Sequence, residues 1–403
     1  MGNPDFKFSL AANYDPELVP ELAQCLVEEV YGKIPADGVS GGRPRYMSSP
    51  VSWKDLQDYA GLLDRHGIAF NYLLNGSCLG NREWTGAWQK NLMKLLDRLG
   101  GMGVKRLTVS TPYLLELVKK RFPDFKVKVG IYAQVDTPGR ARFWEELGAD
   151  GITLESFSIN RDFHRLREIR KAVRCELQLI ANHLCLPNCP LQPYHQNGFA
   201  HASDNPDILF IDYCFLRCSR KRLEDPSLFI KSGWIRPEDL GTYAEIGYTR
   251  FKLLERGIPS SELLKRAKAY SEGRSVANLA ELLLSHGFSE PQKKESFWAL
   301  RNFFKPFQAS PAKLKPLLDL ARQQGMLFPL KENPIRIDSS MIPDNFLDAF
   351  KDKDCGSLGC KDCGYCAKIA EKAVSISPEF RSESLSRFSE LEKTLAEGKI
   401  WNA

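Results

Sequence analysis

Eight of the eleven cysteines in this 403-residue sequence fall into two tight groups. The central cysteine group consists of Cys185, Cys189, Cys214 and Cys218, and the C-terminal cysteine group consists of Cys355, Cys360, Cys363 and Cys366. Four thiolates at such spacing are typical ligands of a zinc ion or an iron–sulfur cluster. Because the sequence shows no export signal, disulfides explain these cysteines poorly. The sequence therefore predicts two metal centres.

Position favours an iron–sulfur cluster over zinc for the central cysteine group. Its two C-x3-C pairs each follow a predicted strand, at 176–181 and at 208–212. The loops after the strands are where α/β barrels carry their chemistry, and a structural zinc is rarely built there. We therefore expect one 4Fe–4S cluster on these four cysteines, with a zinc ion or unliganded thiols as the alternatives.

The C-terminal cysteine group places four cysteines within twelve residues, with glycines between them. A helix predicted at 367–374 follows Cys366 directly, and its N-terminal amides would favour the negative charge of a cluster. The spacing differs from the C-x3-C-x2-C pattern of radical adenosylmethionine enzymes. The pattern predicts a second 4Fe–4S cluster, with a zinc knot as the alternative.

Three residues near the central cysteine group are candidates for acid–base catalysis. Glu155 ends a predicted strand, where a barrel carboxylate can act as an acid or base; the alternative is an ion pair with Arg161 or Arg165. His183 precedes the first cysteine by two residues, and His195 lies between the two cysteine pairs. Both could deliver protons, and for each the alternative is an ordinary surface histidine.

Arg43 and Arg45 lie in a glycine-rich stretch and are candidates for binding an anionic substrate, with simple loop packing as the alternative. The basic run at 217–222 leaves an RNA partner open, although a solvated surface explains it equally simply. The sequence contains no H-E-x-x-H motif, no G-x-S-x-G motif and no phosphate-binding glycine loop. A hydrolytic or nucleotide-binding function therefore has little motif support.

The bulk composition is that of an ordinary globular protein, with 43% hydrophobic and 26% charged residues and a net charge of +6. No apolar run approaches the 18 residues that a membrane span needs, and the first ten residues do not form a signal peptide. We therefore expect a cytoplasmic protein without a membrane partner.

The elements that must position these residues alternate between strand and helix along the first two-thirds of the chain. Near-continuous apolar runs predict strands at 6–10, 68–74, 106–110, 126–133, 151–155, 176–181, 208–212 and 250–254. Amphipathic stretches predict helices at 53–66, 83–99, 113–121, 140–147 and 161–173. The alternation favours a TIM-type (β/α) barrel at 1–274, with an open doubly wound sheet as the alternative. Residues 275–403 are expected to form a helical, cysteine-rich extension, with helices at 276–286, 294–304 and 312–324.

The order of these features resembles the U32 peptidase superfamily, the collagenase-like barrel proteins. The matching stretches lie at 99–110, 122–129, 146–155, 175–185 and 247–257. Cys185 matches the first cluster cysteine of that family, and its late Phe-Lys-Ile-Glu-Gly-Arg element is echoed by Phe251, Lys252, Glu255, Arg256 and Gly257. Two departures are the Leu-Pro-Asn-Cys segment after Cys185 and the close spacing of the last two ligands. The resemblance implies a barrel that holds a 4Fe–4S cluster on four cysteines.

Members of this superfamily include oxygen-independent hydroxylases of ubiquinone synthesis and proteins that hydroxylate RNA, and older members carry a peptidase label. The resemblance and the cysteines together predict an iron–sulfur-dependent, oxygen-independent redox enzyme of anaerobic type acting on an organic small molecule. The alternatives are an RNA-modifying enzyme and a U32-type peptidase. An electron donor such as a ferredoxin is an expected partner, and a hetero- or homodimer is compatible with the resemblance.

Overall fold

The computed structural model of the chain describes residues 4–35, 37–48, 50–205, 209–255, 258–284, 304, 307–324, 332–351, 353, 355 and 360–401. Eight parallel strands close into a barrel in chain order. They are β1 (Lys7–Ala11), β2 (Val27–Gly32), β3 (Ala69–Leu74), β4 (Arg106–Val109), β5 (Lys126–Val129), β6 (Gly151–Thr153), β7 (Glu176–Ile180) and β8 (Arg250–Lys252). The prediction of a TIM-type barrel is confirmed, and the open sheet is excluded.

One strand was missed and one strand prediction is wrong. β2 was not predicted, because consecutive glutamates interrupt its apolar pattern. Conversely, the described residues 209–212 form no strand, although they are apolar. The reason is topological: β7 pairs directly with β8, at Gln178↔Arg250 and Leu179↔Phe251, so the closed barrel leaves no edge for another strand.

The helices agree closely with the amphipathic pattern in the barrel. The longer ones before residue 275 are α2 (Trp53–Arg65), α3 (Gly86–Gly101), α4 (Pro112–Arg121), α5 (Pro138–Glu146), α6 (Phe163–Ala172), α7 (Gln192–Asp204), α8 (Tyr213–Glu224) and α11 (Ser260–Glu272). The shorter ones are α1 (Val19–Leu22), α9 (Ser227–Lys231) and α10 (Leu240–Ala244). Side-chain caps set several starts: Ser52, Asp162 and Asp212 accept hydrogen bonds from the third amides of α2, α6 and α8.

The region after residue 274 contains helices and one small sheet. Its helices are α12 (Ala280–Leu283), α13 (Pro311–Gln323), α14 (Asp348–Lys351), α15 (Cys360–Cys363), α16 (Tyr365–Ala373) and α17 (Pro378–Ala396). The strands β9 (Ile335–Ile337) and β10 (Val374–Ile376) pair antiparallel, which corrects the expectation of a purely helical extension. The helix predicted at 276–286 is shortened because Asn278 bridges to Asp338 and accepts the amide of Ile337. Residues 294–303 of another predicted helix lie outside the described residues.

This extension is continuous with the apolar core of the barrel. Phe346 stacks on Trp234 with ring centroids 5.4 Å apart, and α16 packs against α9. The boundary at residue 274 stays a prediction. No helix in the described ranges is long and apolar enough to cross a membrane.

A buried ion pair fastens the extension to the barrel. The guanidinium of Arg236 donates two hydrogen bonds of 2.8 Å to the carboxylate of Asp239, and it also donates to the carbonyl oxygens of Ile342 and Pro343. Both side chains are almost completely buried. The forked geometry of arginine lets one side chain satisfy acceptors on both parts of the chain.

Arg236→Lys is therefore expected to loosen the extension, because lysine cannot reproduce the fork. We expect a loss of about 1–3 kcal/mol in the free energy of unfolding. Hydrogen exchange of the amides at 342–350 should accelerate in this variant. Arg336→Lys is the control, since Arg336 forms an exposed pair with Asp338. Equal exchange in both variants would contradict this role of Arg236.

The interior of the barrel contains a belt of buried polar residues, one from each of the first seven strands. This polar belt consists of Ser9, Glu29, Asn71, Thr108, Lys128, Thr153 and Gln178. Hydrogen bonds of 2.8–2.9 Å run from Thr153 to Gln178, from Gln178 to Ser9 and from Ser9 to Glu29. Thr108 donates a further one to Asn71.

Glu29 is the charged centre of the polar belt. Its carboxylate lies 3.4 Å from the Lys128 ammonium and 3.2 Å from the Arg106 guanidinium. Burial alone would raise the pKa of Glu29, but these two cations and hydrogen bonds from Asn71 and Ser9 bring it down to about 2. The carboxylate therefore stays ionised inside the barrel.

Candidate metal centres and the pocket beside them

The central cysteine group comes together from two elements on the carboxyl side of the barrel strands. Cys185 and Cys189 lie in the loop after β7, and Cys214 and Cys218 lie one turn apart on α8. Burial, and then the charge of neighbouring thiols, raises the pKa of Cys185. Burial, then the Asp212 carboxylate and the thiols of Cys218 and Cys189, raise the pKa of Cys214 to about 12. Cys218 contributes to both of these shifts and to that of Cys189. The four thiols are therefore close enough for their charges to interact, and their role as one ligand set stays a prediction.

A buried arginine faces these thiols. Arg222 donates to the carbonyl oxygen of Leu184 at 2.6 Å and to the Ser219 hydroxyl, and its Nη2 lies 3.6 Å from the Cys218 sulfur. None of these partners carries a negative charge while Cys218 is a neutral thiol. A buried arginine needs a counter-charge, and ionised cysteines (thiolates) would supply it. The donor set therefore fits an anionic thiolate centre. In the described part of the chain, no three His, Cys, Asp or Glu side chains meet at the geometry of a single metal ion.

The C-terminal cysteine group is more exposed. Cys360 and Cys363 are the ends of α15, and Gly364, with a φ of 60°, turns the chain into α16, where Cys366 is the second residue. Burial and the other thiols raise the pKa values of Cys355 and Cys366. The helix predicted at 367–374 is confirmed as α16, which begins two residues earlier and ends one residue earlier.

A second buried arginine faces this group. The guanidinium of Arg161 lies over the rings of Trp234, Phe346 and Phe350, at 4.4, 4.8 and 5.2 Å from their centroids. It donates to the carbonyl oxygens of Ile230 and Trp234. Burial lowers its pKa, and the charges of Cys366 and Cys355 act in the opposite direction. Both cysteine groups therefore have a buried cation beside them, which suits thiolates in each.

Glu155 lies just after β6 and is 4% exposed. Its carboxylate pairs with neither Arg161 nor Arg165; it accepts hydrogen bonds from the amides of Phe157 (2.5 Å) and Ser158 (3.0 Å) and from the Ser158 hydroxyl (2.6 Å). Burial raises the pKa of Glu155 despite these bonds. The carboxylate holds the turn that leads to Arg161, and its catalytic role stays a prediction.

Glu155→Gln tests which role dominates. If the Glu155 side chain holds the turn, the glutamine variant should lose about 1–2 kcal/mol in the free energy of unfolding. The reason is that the NH2 group of glutamine cannot accept the hydrogen bonds that a carboxylate oxygen accepts from the loop. Ser158→Ala, which removes only the hydroxyl bond, is expected to cost less. A large loss of turnover with unchanged stability in Glu155→Gln would instead support the catalytic role. Urea unfolding and the pH profile of turnover measure the two outcomes.

The two candidate histidines differ in their surroundings. His183 is buried; its Nε2 lies 3.1 Å from the Ser156 carbonyl oxygen, and its Nδ1 accepts the amide of Cys185. Burial lowers the pKa of His183 to about 4, so it is neutral near pH 7 and orients the cysteine loop. His195 lies on α7, is partly exposed, and has its Nε2 3.0 Å from the Asp212 carboxylate. Of the two, only His195 is placed to exchange a proton with a bound molecule.

The mouth of the barrel is covered by α7. Three side chains of α7 accept hydrogen bonds from the loops below. Ser203 accepts one from the backbone amide of Gly41, and Asn197 accepts one from the hydroxyl of Ser77. Gln196 accepts one from the side-chain amide of Gln134. These partners belong to the loops after β2, β3 and β5, so α7 is anchored across the opening. The helix is an insertion between β7 and β8, and it connects the two cysteine pairs.

Arg43 and Arg45 lie in the loop after β2, beneath this cover. Arg43 forms an ion pair with Glu255, which follows β8. Arg45 begins a short 3₁₀ turn, Arg45–Met47, that packs near α7. Their predicted role in substrate binding stays a prediction, and the ion pair gives Arg43 a structural role as well. Arg256 and Gly257 of the matching family element lie outside the described residues.

A pocket of about 760 Å³ opens on the outer side of α7. His195, Asp212, Cys214 and Arg217 line it on one side, and residues 389–401 of the last helix and its continuation line the other. Its apolar surface comes from Tyr194, Phe210, Tyr213 and Trp401. The structure thus brings His195 and one central cysteine together in a single pocket.

Sequence reasoning placed Arg222 only in the basic run, and it missed the roles of Arg222 and Arg161 and this pocket. A basic residue four positions after Cys218, one turn away in a helix, is a detectable signal for Arg222. Arg161 and the pocket depend on contacts with residues 346–401, which no local pattern reveals. Cys78, after β3, lies on the same side of the barrel, but its sulfur accepts the amide of Gly80.

Comparison with known proteins gives one strong relative. The chain is 33% identical to the "uncharacterized protease MJ1657" of Methanocaldococcus jannaschii over 348 residues, which is 86% of this chain and 89% of that protein. No protein-family model matches. Among solved structures, the U32 peptidase Mk0906 aligns with a TM-score of 0.46 and 21% identity, over 64% of this chain and 96% of that chain. A lactate oxidase from Pediococcus acidilactici aligns more weakly, with a TM-score of 0.34 and 12% identity over 68% and 67% of the two chains.

The structural alignments are too weak to carry an argument about function. The sequence relationship is much stronger, since 33% identity extends over most of both chains. The chain belongs to the U32 peptidase-like family.

Proposed function

We propose that this protein is an iron–sulfur-dependent, oxygen-independent redox enzyme that acts on an organic small molecule, with hydroxylation as the expected type of reaction. The observation that carries the proposal is that Cys214 belongs to the central cysteine group and also lines the 760 Å³ pocket. A pocket of that size accommodates an organic molecule of drug-like dimensions. A thiolate-bound cluster at this point would adjoin the bound substrate.

The residues of the site have distinct roles in this proposal. Cys185 and Cys189 hold the cluster from the loop after β7, and Cys214 and Cys218 hold it from α8. When bound, the cluster supplies or accepts single electrons beside the pocket. Arg222 balances the thiolate charge from the protein interior. His195, oriented by Asp212, offers its imidazole as the group that gives or takes a proton at the substrate.

Metal analysis of anaerobically purified protein tests the proposal. We expect a brown protein containing iron and acid-labile sulfide in equal amounts, with an electron paramagnetic resonance signal after reduction. Zinc without iron in every anaerobic preparation would exclude the proposed chemistry. A preparation reconstituted with iron and sulfide serves as the control for loss during purification.

The same measurement addresses the C-terminal cysteine group. We propose that Cys355, Cys360, Cys363 and Cys366 hold a second cluster, with zinc as the alternative. Replacing Cys360 and Cys363 together by serine is expected to remove about half of the iron if both groups carry clusters of equal size. If iron is unchanged and zinc disappears, this group is a structural zinc site.

A peptidase is the second candidate, because the relative from Methanocaldococcus jannaschii is named a protease. A cysteine peptidase needs a histidine against its thiol. Here the contacts of the two histidines are of another kind. His183 accepts a hydrogen bond from the backbone amide of Cys185, and His195 pairs with the carboxylate of Asp212. A peptidase should cleave a peptide library after iron removal by a chelator, whereas a redox enzyme should be inactive.

An RNA-modifying enzyme has less support from the contacts. Arg217 and Arg220 of the basic run both pair with Glu392 at 2.6 Å, and Arg222 is buried beside Cys218. Phosphate binding would have to compete with these internal partners. RNA affinity that falls steeply with salt would nevertheless favour this candidate over the small-molecule reaction.

A further inference from the structure

A second cavity, of about 790 Å³, adjoins the C-terminal cysteine group. We call it the basic cavity. It is lined by the start of α5, by the exposed side of α6 and by Phe350, Lys351 and Lys353. Its charged lining consists of Asp162, Arg165, Arg167, Glu168, Lys351 and Lys353. It lies apart from the 760 Å³ pocket, with which it shares no lining residue.

The balance of charge in the basic cavity is positive. Four cations face two carboxylates. Both carboxylates are already engaged, and one of the cations, Lys351, pairs at 2.8 Å with Asp348, which does not line the cavity. Asp162 caps α6 and pairs with Arg165 at 3.1 Å. Glu168 pairs at 2.9 Å with Lys171, which does not line the cavity. Arg167 lies close enough to Lys351 for their charges to interact. A surface of this kind attracts an acidic partner.

Two walls of the basic cavity lead to the C-terminal cysteine group. The Lys353 ammonium lies 3.9 Å from the sulfur of Cys363, which is exposed. The Phe350 ring forms another wall and stacks under Arg161, the buried cation that faces Cys355 and Cys366. A partner seated in the cavity would therefore contact the outer edge of the cysteine group.

We propose that the basic cavity is the docking site of a small acidic electron-carrier protein of the iron–sulfur type. The inference rests on the proposed function, since it assigns the C-terminal cysteine group as the point of electron entry. In each encounter the carrier is oxidised by one electron and this chain is reduced by one, and no covalent bond is made or broken. The added negative charge arises beside Lys353 and Arg161, which favour it electrostatically.

Binding of a purified acidic bacterial-type ferredoxin to the anaerobic holoprotein tests this proposal. Isothermal titration calorimetry at low and high salt measures the affinity directly, without requiring turnover. We expect wild-type affinity to fall as salt rises, and Arg167→Glu to weaken binding at low salt on the order of tenfold. Lys90→Glu is the matched control: it makes the same charge change on exposed α3 and should alter the affinity less than about twofold.

A second readout separates this inference from the proposed function. Stopped-flow reduction of the holoprotein by the reduced ferredoxin should slow in Arg167→Glu, whereas reduction by dithionite should be equal in all variants. Equal affinity of Arg167→Glu and wild type, or salt-insensitive binding, overturns the docking site even if the protein contains iron. Loss of RNA binding, rather than of ferredoxin binding, in Arg167→Glu also overturns it. A protein that contains only zinc overturns the proposed function instead.

Discussion

Replacing Cys189 and Cys218 together by serine is expected to lower turnover by on the order of 100-fold or more, because the change removes one proposed cluster ligand from each of the two elements that carry the central cysteine group. Cys189 belongs to the loop after β7 and Cys218 to α8, so neither element retains both of its sulfurs. About half of the iron and of the visible absorbance should disappear if both groups carry clusters. Iron analysis, absorbance and turnover under anaerobic conditions measure the effect.

The matched control removes two thiols outside both groups. Cys25 and Cys175 are partly buried, and neither is predicted to bind metal. Cys25→Ser/Cys175→Ser should retain its iron and its turnover. Circular dichroism must show that both double variants fold. Wild-type turnover in Cys189→Ser/Cys218→Ser would contradict the whole redox assignment, because the chemistry would then proceed without the centre next to the pocket.

The second large effect is expected on stability. Glu29→Gln should lower the free energy of unfolding by about 3–5 kcal/mol, because it leaves Lys128 and the partly buried Arg106 without their shared carboxylate inside the barrel. Urea unfolding near pH 7 measures this loss. Glu168→Gln, which alters only an exposed pair with Lys171, should change stability little.

The same residue predicts how stability depends on pH. The pKa of Glu29 is about 2 in the folded protein, below the ordinary glutamate value of 4.5. Its contribution is therefore fully present above pH 4.5 and is lost as the pH falls from 4.5 towards 2. Glu29→Gln should flatten the dependence of unfolding free energy on pH in this window. An unchanged slope would mean that the carboxylate is not ionised within the polar belt.

The barrel was predictable because most of its strands are continuous apolar runs. The exceptions have physical causes. β2 contains Glu28 and Glu29, and only the closed barrel supplies the cations that make a buried glutamate tolerable there. The apolar stretch at 209–212 resembles a strand locally, but β8 already occupies the position beside β7. In these two cases, whether a segment forms a strand depends on its tertiary contacts, and the local sequence does not reveal those contacts.

The candidate site was predictable to the extent that it depends on cysteine spacing. The charges of the two pairs in the central cysteine group interact, although Cys214 follows no strand and lies on α8 instead. The contacts of Glu155 and Arg161 could not be foreseen, because the first bonds to its own loop and the second packs against Phe346 and Phe350 far along the chain. The barrel mouth, where the loops after the strands meet, is covered by α7.

The support of α8 by α17 has a consequence for how the protein is made. Glu392 of α17 binds both Arg217 and Arg220, and Arg381 donates to the last carbonyl oxygens of α8, those of Leu223 and Glu224. The partner of Arg217 is synthesised 175 residues after it. During translation, the helix that carries Cys214 and Cys218 therefore emerges from the ribosome long before its support exists. If the central cysteine group binds a metal, insertion into a rigid site is expected to follow synthesis of the last helix, and a nascent chain stalled before residue 378 should acquire metal poorly.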